Sequence, residues 1–201
     1  MKTFGYILFI FIMIFSLSGC ESFLDTELLT EKTTENFPAT EEEANQMLTS
    51  IYANLLFEDP EQSSYFYIAQ LASDDCLGGN LSGSNNCATN FLLYTNLNTI
   101  GGIWSRCYKI VNRANSAIAS FDNVKTWSSK AEHDRHFGEA YFLRAFAYNE
   151  LVQVFGGVPL RTNTEPANLP RASVDEVYAL IASDLKNAIE LMPNKIYGAG
   201  A

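Results

Sequence analysis

The segment from Ser129 to Phe155 constrains the fold more than any other stretch of the chain. On a helical wheel with Glu139 at the origin and about 100° per residue, Glu132, Arg135, His136, Asn149, Glu150 and Gln153 share one polar arc of roughly 140°. The rest of the wheel carries Phe137, Ala140, Tyr141, Leu143, Ala147, Tyr148, Leu151 and Val154. A helix so widely apolar must be covered on more than one side. Arg144 falls inside the apolar face. A guanidinium there needs a carboxylate or several carbonyls to offset its desolvation, so Arg144 is expected as a structural buried charge rather than a ligand contact. Gly156-Gly157-Val158-Pro159 ends the helix: glycine can take the left-handed position past the last turn, and proline forbids continuation. From Leu160 to Arg171, Pro166 and Pro170 mark an extended surface connection.

Helices able to cover it share its periodicity. Thr40-x-x-Glu43, Ser129-x-x-Glu132 and Ser173-x-x-Glu176 all have the form of a capping box. Behind Thr40 follow Ala44, Met47, Leu48, Ile51 and Leu55. Behind Ser173 follow Val174, Val177, Tyr178, Ile181, Leu185, Ala188 and Met192 on one stripe, stopped by Pro193. A further helix is predicted from Ile100 to Phe121, with Ile103, Cys107, Val111, Ala114, Ile118 and Phe121 three or four residues apart. No alternating β-branched run competes. The predicted class is all-α: antiparallel helix pairs, tetratricopeptide-like, with long irregular loops. A strict repeat of about 34 residues is not visible.

The first residues read as a targeting segment. Lys2 precedes an apolar run from Phe4 to Leu17. That run is short for a membrane span of roughly 20 residues and suits a signal-peptide core. It ends in Leu17-Ser18-Gly19-Cys20, which resembles the bacterial lipobox, whose cysteine is thioether-linked to diacylglycerol before cleavage. Residues 1–19 are thus expected as a lipoprotein signal peptide, Cys20 as the lipid attachment site, 20–38 as a lipidated tether and 39–201 as a helical domain. The acyl chains together make a stable membrane anchor.

Charge and motifs remove several functions. With a net charge of −10, the chain repels phosphate backbones, and no nucleic-acid partner is expected. Four cysteines are too few for a disulfide scaffold. Walker A, dinucleotide-binding and nucleophile-elbow motifs are missing from the sequence, so no enzyme and no catalytic residue is expected. His133 and His136 have a spacing able to hold a metal, but no third ligand stands out. No metal or cofactor is assigned.

The stretch Cys76-Leu77-Gly78-Gly79-Asn80-Leu81-Ser82-Gly83-Ser84-Asn85-Asn86-Cys87 admits two readings. It is a solvated loop, or its Asn80, Asn85 and Asn86, with Asp75 just ahead, supply hydrogen bonds to a hydroxyl-rich ligand. Cys76 and Cys87 either close it as a disulfide or stay free. Asp74 and Asp75 do not open an EF-hand loop and read as capping or salt-bridging groups rather than a Ca²⁺ site. Cys107, on an apolar stripe, is expected as a buried free thiol. Trp104 borders that stripe and reads as core. Trp127 lies between helices, as a platform or as a cap over the core. Tyr65-Phe66-Tyr67 reads as packing, and Tyr94 is a further aromatic candidate.

Gly138-Glu139-Ala140-Tyr141-Phe142-Leu143-Arg144-Ala145-Phe146-Ala147-Tyr148, followed by Leu151-Val152-Gln153-Val154-Phe155-Gly156-Gly157-Val158-Pro159-Leu160, resembles the signature segment of the SusD/RagB family. Phe23-Leu24-Asp25, Ser73-Asp74-Asp75, and Trp104, Tyr108, Ile110, Asn112 and Asn115 match in the same order. The family consists of nutrient-binding outer-membrane lipoproteins of Bacteroidota. The resemblance implies tetratricopeptide-like helix pairs, a lipid anchor in the outer membrane facing the cell exterior, and an oligosaccharide or polysaccharide ligand (peptides in some members). It also implies a partner, a TonB-dependent, SusC-like transporter on which the protein forms a surface lid. A helical-repeat lipoprotein serving as scaffold or adhesin is the alternative. Family members are much longer, and this chain resembles an N-terminal portion of the family plan. The family's starch binders also carry tryptophans in the loop after the acidic pair. Stacking on a sugar needs a ring, and residues 76–87 contain none.

Cys20→Ser removes the acyl acceptor and is expected to leave the protein unacylated and soluble in the periplasm. Labelled-palmitate incorporation and cell fractionation check this. Proteolysis of intact cells checks the surface location: protection of the wild type, while control surface proteins are cut, would refute it.

Overall fold

The computed structural model describes residues 37–55, 73 and 98–192, and hydroxyl side chains start three of the four helices among them. Thr40 accepts from the Glu43 N–H at 3.3 Å to open α1 (Glu41–Tyr52). α2 (Asn98–Ser120) runs into a short 3-10 turn at Phe121–Asn123. Ser129 accepts from the Glu132 N–H at 3.1 Å to open α3 (Lys130–Phe155), and Ser173 accepts from Glu176 to open α4 (Val174–Leu191). Only at Ser173 does the reciprocal half of the box form, with Glu176 Oε2 accepting from the Ser173 N–H at 2.7 Å. That backbone donor holds the Glu176 carboxyl below its ordinary range. Glu43 instead reaches back one residue further, to the Ala39 N–H, and Glu132 turns forward to Arg135. Each cap satisfies one of the orphan donors of its first turn.

The fold is all-α, and the described residues contain no strand. α3 packs against each of the other three helices, most extensively α4 and α2. Its buried Ala140, Leu143, Ala147, Tyr148 and Leu151 meet Ala44, Leu48 and Ile51 of α1, Ile103, Cys107, Ile110, Val111, Ala114 and Ala117 of α2, and Val177 and Ile181 of α4 in one core. No described helix is long and apolar enough to cross a membrane.

Three expectations change where a neighbouring helix intervenes. His136, on the polar arc of α3, is fully buried. Its Nε2 lies 3.0 Å from Asn45 Oδ1 and its Nδ1 2.6 Å from the Glu132 carbonyl, because α1 packs over that arc. Glu150, on the same arc, is also buried, while Phe142 and Phe146, which fall within that arc too, are exposed. On α4 the predicted stripe divides. Val177, Ile181 and Ala188 are buried, as is Asp184, which the stripe did not include, while Val174, Tyr178 and Leu185 are exposed. The stripe is wider than contact with a single helix can cover.

The connection from α3 to α4 is stapled at its ends. Gly156 takes φ +70° and donates to the Val152 carbonyl at 2.9 Å. Ala172 N–H donates to the Val158 carbonyl at 3.1 Å, and the Arg171 guanidinium donates to the carbonyls of Phe155 and Gly157. A Cβ on Gly157 would lie 2.0 Å from the Ala172 carbonyl oxygen. Backbone passes where any side chain would sit.

Gly157→Ala is therefore expected to destabilise the protein by about 1–3 kcal/mol through overpacking against rigid backbone. Gly101, within α2, has nothing within 4 Å of an added Cβ, so Gly101→Ala is expected to raise stability by about 0.5–1 kcal/mol. Urea midpoints of the two variants, moving in opposite directions, check both.

Candidate functional site

A buried polar network ties the helices together beneath the α3–α4 connection. Arg144 and Asp184 are almost wholly buried. The guanidinium grips the carboxylate through two parallel bonds, Nε to Oδ2 at 2.8 Å and Nη2 to Oδ1 at 2.7 Å. Its Nη1 donates to Asn115 Oδ1 of α2 at 2.7 Å. The Asn115 amide in turn donates to the carbonyls of Arg161 and Asn163, at 3.1 and 3.0 Å. Among the described residues no buried side-chain polar atom is left unpartnered, which is what a buried charge needs to be tolerated. The Tyr148 hydroxyl closes the set, donating to the Arg161 carbonyl at 2.9 Å and accepting from the Arg161 N–H at 2.6 Å. Burial pushes the Tyr148 phenol up to about 12, so it stays a neutral hydroxyl able to do both.

Above this network opens a cleft of about 350 Å³ lined by Trp104, Tyr108, Asn112, Pro159, Arg161, Asn168 and Leu169. α2 supplies one wall, the connection after α3 the other. Tyr108 Oη donates to the Pro159 carbonyl at 2.7 Å, which joins the walls, and burial raises its phenol well above the ordinary value. Trp104 was expected in the core. It is 38% exposed and lines this cleft, because the 159–169 connection passes beside it instead of covering it. Trp127 is a cap over the core: its ring meets Phe121, His133 and His136 at centroid distances of 6.2, 5.4 and 4.7 Å.

The other reactive groups among the described residues are buried or already partnered. Cys107 is a buried free thiol whose pKa burial pushes up to about 11, which suppresses the nucleophilic thiolate. Both His136 ring nitrogens already have partners, and His133 Nδ1 sits 2.9 Å from Asp134. Among the described residues no group of three or more His, Cys, Asp or Glu is placed to hold a metal. Cys20, Asp74, Asp75, Cys76, Asn80, Asn85, Asn86, Cys87, Tyr94 and the Tyr65-Phe66-Tyr67 cluster lie outside the described residues. The sequence reading passed over Asp184, Arg161, Asn168 and Leu169. Asp184 did carry a signal: an acidic residue at the contact spacing of an otherwise apolar helix face.

Comparison with known proteins follows the same lines. The SusD-like family model, described as starch-binding and associating with the outer membrane, matches residues 22–199. SusD-like protein P38 of Formosa agariphila is 32% identical over 200 residues, covering 94% of this chain and 38% of that protein. The chain thus spans well under half the length of this relative. A laminarin-binding SusD-like protein superposes with a TM-score of 0.66 at 26% identity, over 77% of this chain and 34% of its own. Surface glycan-binding protein A from Bacteroides fluxus superposes with a TM-score of 0.65 at 28% identity, over 75% and 33%.

Removing one partner of the buried pair leaves an uncompensated charge, so Arg144→Ala is expected to cost about 3–5 kcal/mol. Arg144→Met combined with Asp184→Leu should recover part of that loss, since Asn115 still lacks its donor. Urea melts of the single and double variants check this. An Arg144→Ala melt superimposing on wild type would refute the role given to the pair.

Proposed function

The chain belongs to the SusD-like family, and from that membership we propose that it is a surface glycan-binding lipoprotein acting with a TonB-dependent outer-membrane transporter in oligosaccharide uptake. The observation that carries this is the family match over residues 22–199, on a fold shared with two proteins named for binding laminarin and surface glycans. The lipobox-like Leu17-Ser18-Gly19-Cys20 fits the location. An acidic residue directly after the lipidated cysteine, Glu21, resembles the surface-export signals of Bacteroidota lipoproteins. In this reading residues 1–19 are removed, Cys20 is acylated, residues 20–38 act as a tether, and the helical domain faces the cell exterior. Binding without chemistry fits a helical framework whose Cys107 thiol and His136 imidazole are buried.

Asn80, Asn85, Asn86 and Asp75 are assigned to ligand contact in this reading. A net hydrogen bond is worth only about 0.5–1.5 kcal/mol. The isolated chain should therefore bind glycan weakly, with a dissociation constant on the order of high micromolar to millimolar. The transporter partner would supply the remaining affinity.

Affinity purification from outer membranes, followed by mass spectrometry, is expected to recover a TonB-dependent β-barrel. Recovery without any barrel would favour the scaffold or adhesin alternative. Replacing Asn80, Asn85 and Asn86 together by Ala should bring glycan binding below calorimetric detection without moving the urea midpoint. Unchanged binding would take the contact away from that loop.

A further inference from the structure

Trp104 is one of two tryptophans in the chain, and the two are treated differently. Trp127 packs on the core cluster, while Trp104 is 38% exposed at the cleft between α2 and the connection after α3. Leaving an indole in water forfeits a large hydrophobic gain. The ring is nevertheless well seated. Phe155 meets it edge-on with centroids 5.1 Å apart and planes at 87°, and Tyr108 tilts against it at 4.8 Å. Tyr108 is itself pinned by its hydrogen bond to Pro159. The indole is thus a rigid platform, and ordering it on ligand binding costs little.

The polar groups around it are available. The side chains of Asn112 and Asn168 have no hydrogen-bond partner among the described residues, so each amide keeps its acceptor and two donors. Arg161 donates from Nη2 to the Ala167 carbonyl at 2.7 Å, while its backbone N–H and carbonyl are held by Tyr148. A flat aromatic ring bordered by planar amides and a guanidinium matches a sugar ring. The C–H face lies on the indole, and the hydroxyls at its rim meet fork-shaped donors and acceptors. The cleft, at about 350 Å³, falls at the small end of ligand pockets, room for one or two such rings. We propose that this cleft is a carbohydrate subsite holding a pyranose ring stacked on Trp104, its hydroxyls bonded by Asn112, Asn168 and Arg161. The proposal rests on the glycan-binding reading and supplies the stacking surface that residues 76–87 do not have.

The test uses the full chain in a detergent without a sugar headgroup. In a Trp127→Phe background Trp104 is the sole indole reporter. Titration with laminarihexaose, maltohexaose, cellohexaose and mannohexaose is expected to change its emission saturably with at least one of them, and to shield it from acrylamide. By calorimetry, Trp104→Ala should weaken that sugar at least tenfold and Trp104→Phe only a few-fold. Asn112→Ala and Asn168→Ala, both at exposed positions, should weaken it several-fold with an unchanged urea midpoint. They keep the test valid if Trp104→Ala fails to fold. Calorimetric binding with a silent Trp104 signal and undiminished affinity in the asparagine variants overturns the cleft and leaves the glycan-binding function standing. Absence of heat with all four sugars overturns both.

Discussion

The two parallel bonds between Arg144 and Asp184 are the interaction on which the rest of the structure depends. They join α3 to α4 through an interface that is otherwise apolar. A charge on either helix alone would oppose burial strongly; together, with Asn115 taking a third guanidinium donor, they are satisfied. The geometry of a planar fork also restricts the arrangement. A hydrophobic pair tolerates sliding along the helix axis, whereas two directed hydrogen bonds do not. The register of α4 on α3 is thereby specified more sharply than its alanine-rich surroundings could manage.

From that pair the constraint passes upward. Asn115 and Tyr148 hold the backbone of Arg161 from two sides, and Tyr108 holds Pro159. The irregular chain over the helices is thus fixed at successive points by side chains rooted in α2 and α3. Trp104 and Phe155 then pack at the mouth of the space so defined. Core chemistry and the shape of the cleft are parts of one network, and disturbance of the first is felt in the second.

Helix starts were readable because a cap is a local device. Thr40, Ser129 and Ser173 each announce the turn that follows, and the structure begins α1, α3 and α4 at the next residue. α2 has no such hydroxyl signature in the pattern, and its observed start at Asn98 precedes the predicted one at Ile100. A helical wheel reports one helix and is blind to what crosses it. It therefore placed Arg144 among apolar neighbours but did not name Asp184, and it left His136 and Glu150 on a polar arc that α1 and the core conceal. The surroundings of Trp104 were harder still. The cleft combines α2 with residues some fifty positions later in a connection without periodicity, where no repeat pattern can point. The candidate contacts at Asp75, Asn80, Asn85 and Asn86 lie outside the described residues, so the structure adds nothing to the sequence reading of that loop.

The stapled ends of the α3–α4 connection bear on how such a protein diversifies. With Ala172 bonded to Val158, Arg171 on two carbonyls and Gly157 against the Ala172 backbone, the chain enters and leaves the loop at adjoining points. Residues between these points, Asn168 and Leu169 among them, form a closed excursion whose tip length does not alter how α4 docks. Doubling such a loop adds only about 0.6 kcal/mol of closure entropy. Insertions and substitutions at the tip can therefore reshape one wall of the cleft while the helices beneath remain in place. Lineages could vary that wall without first having to rebuild a stable scaffold.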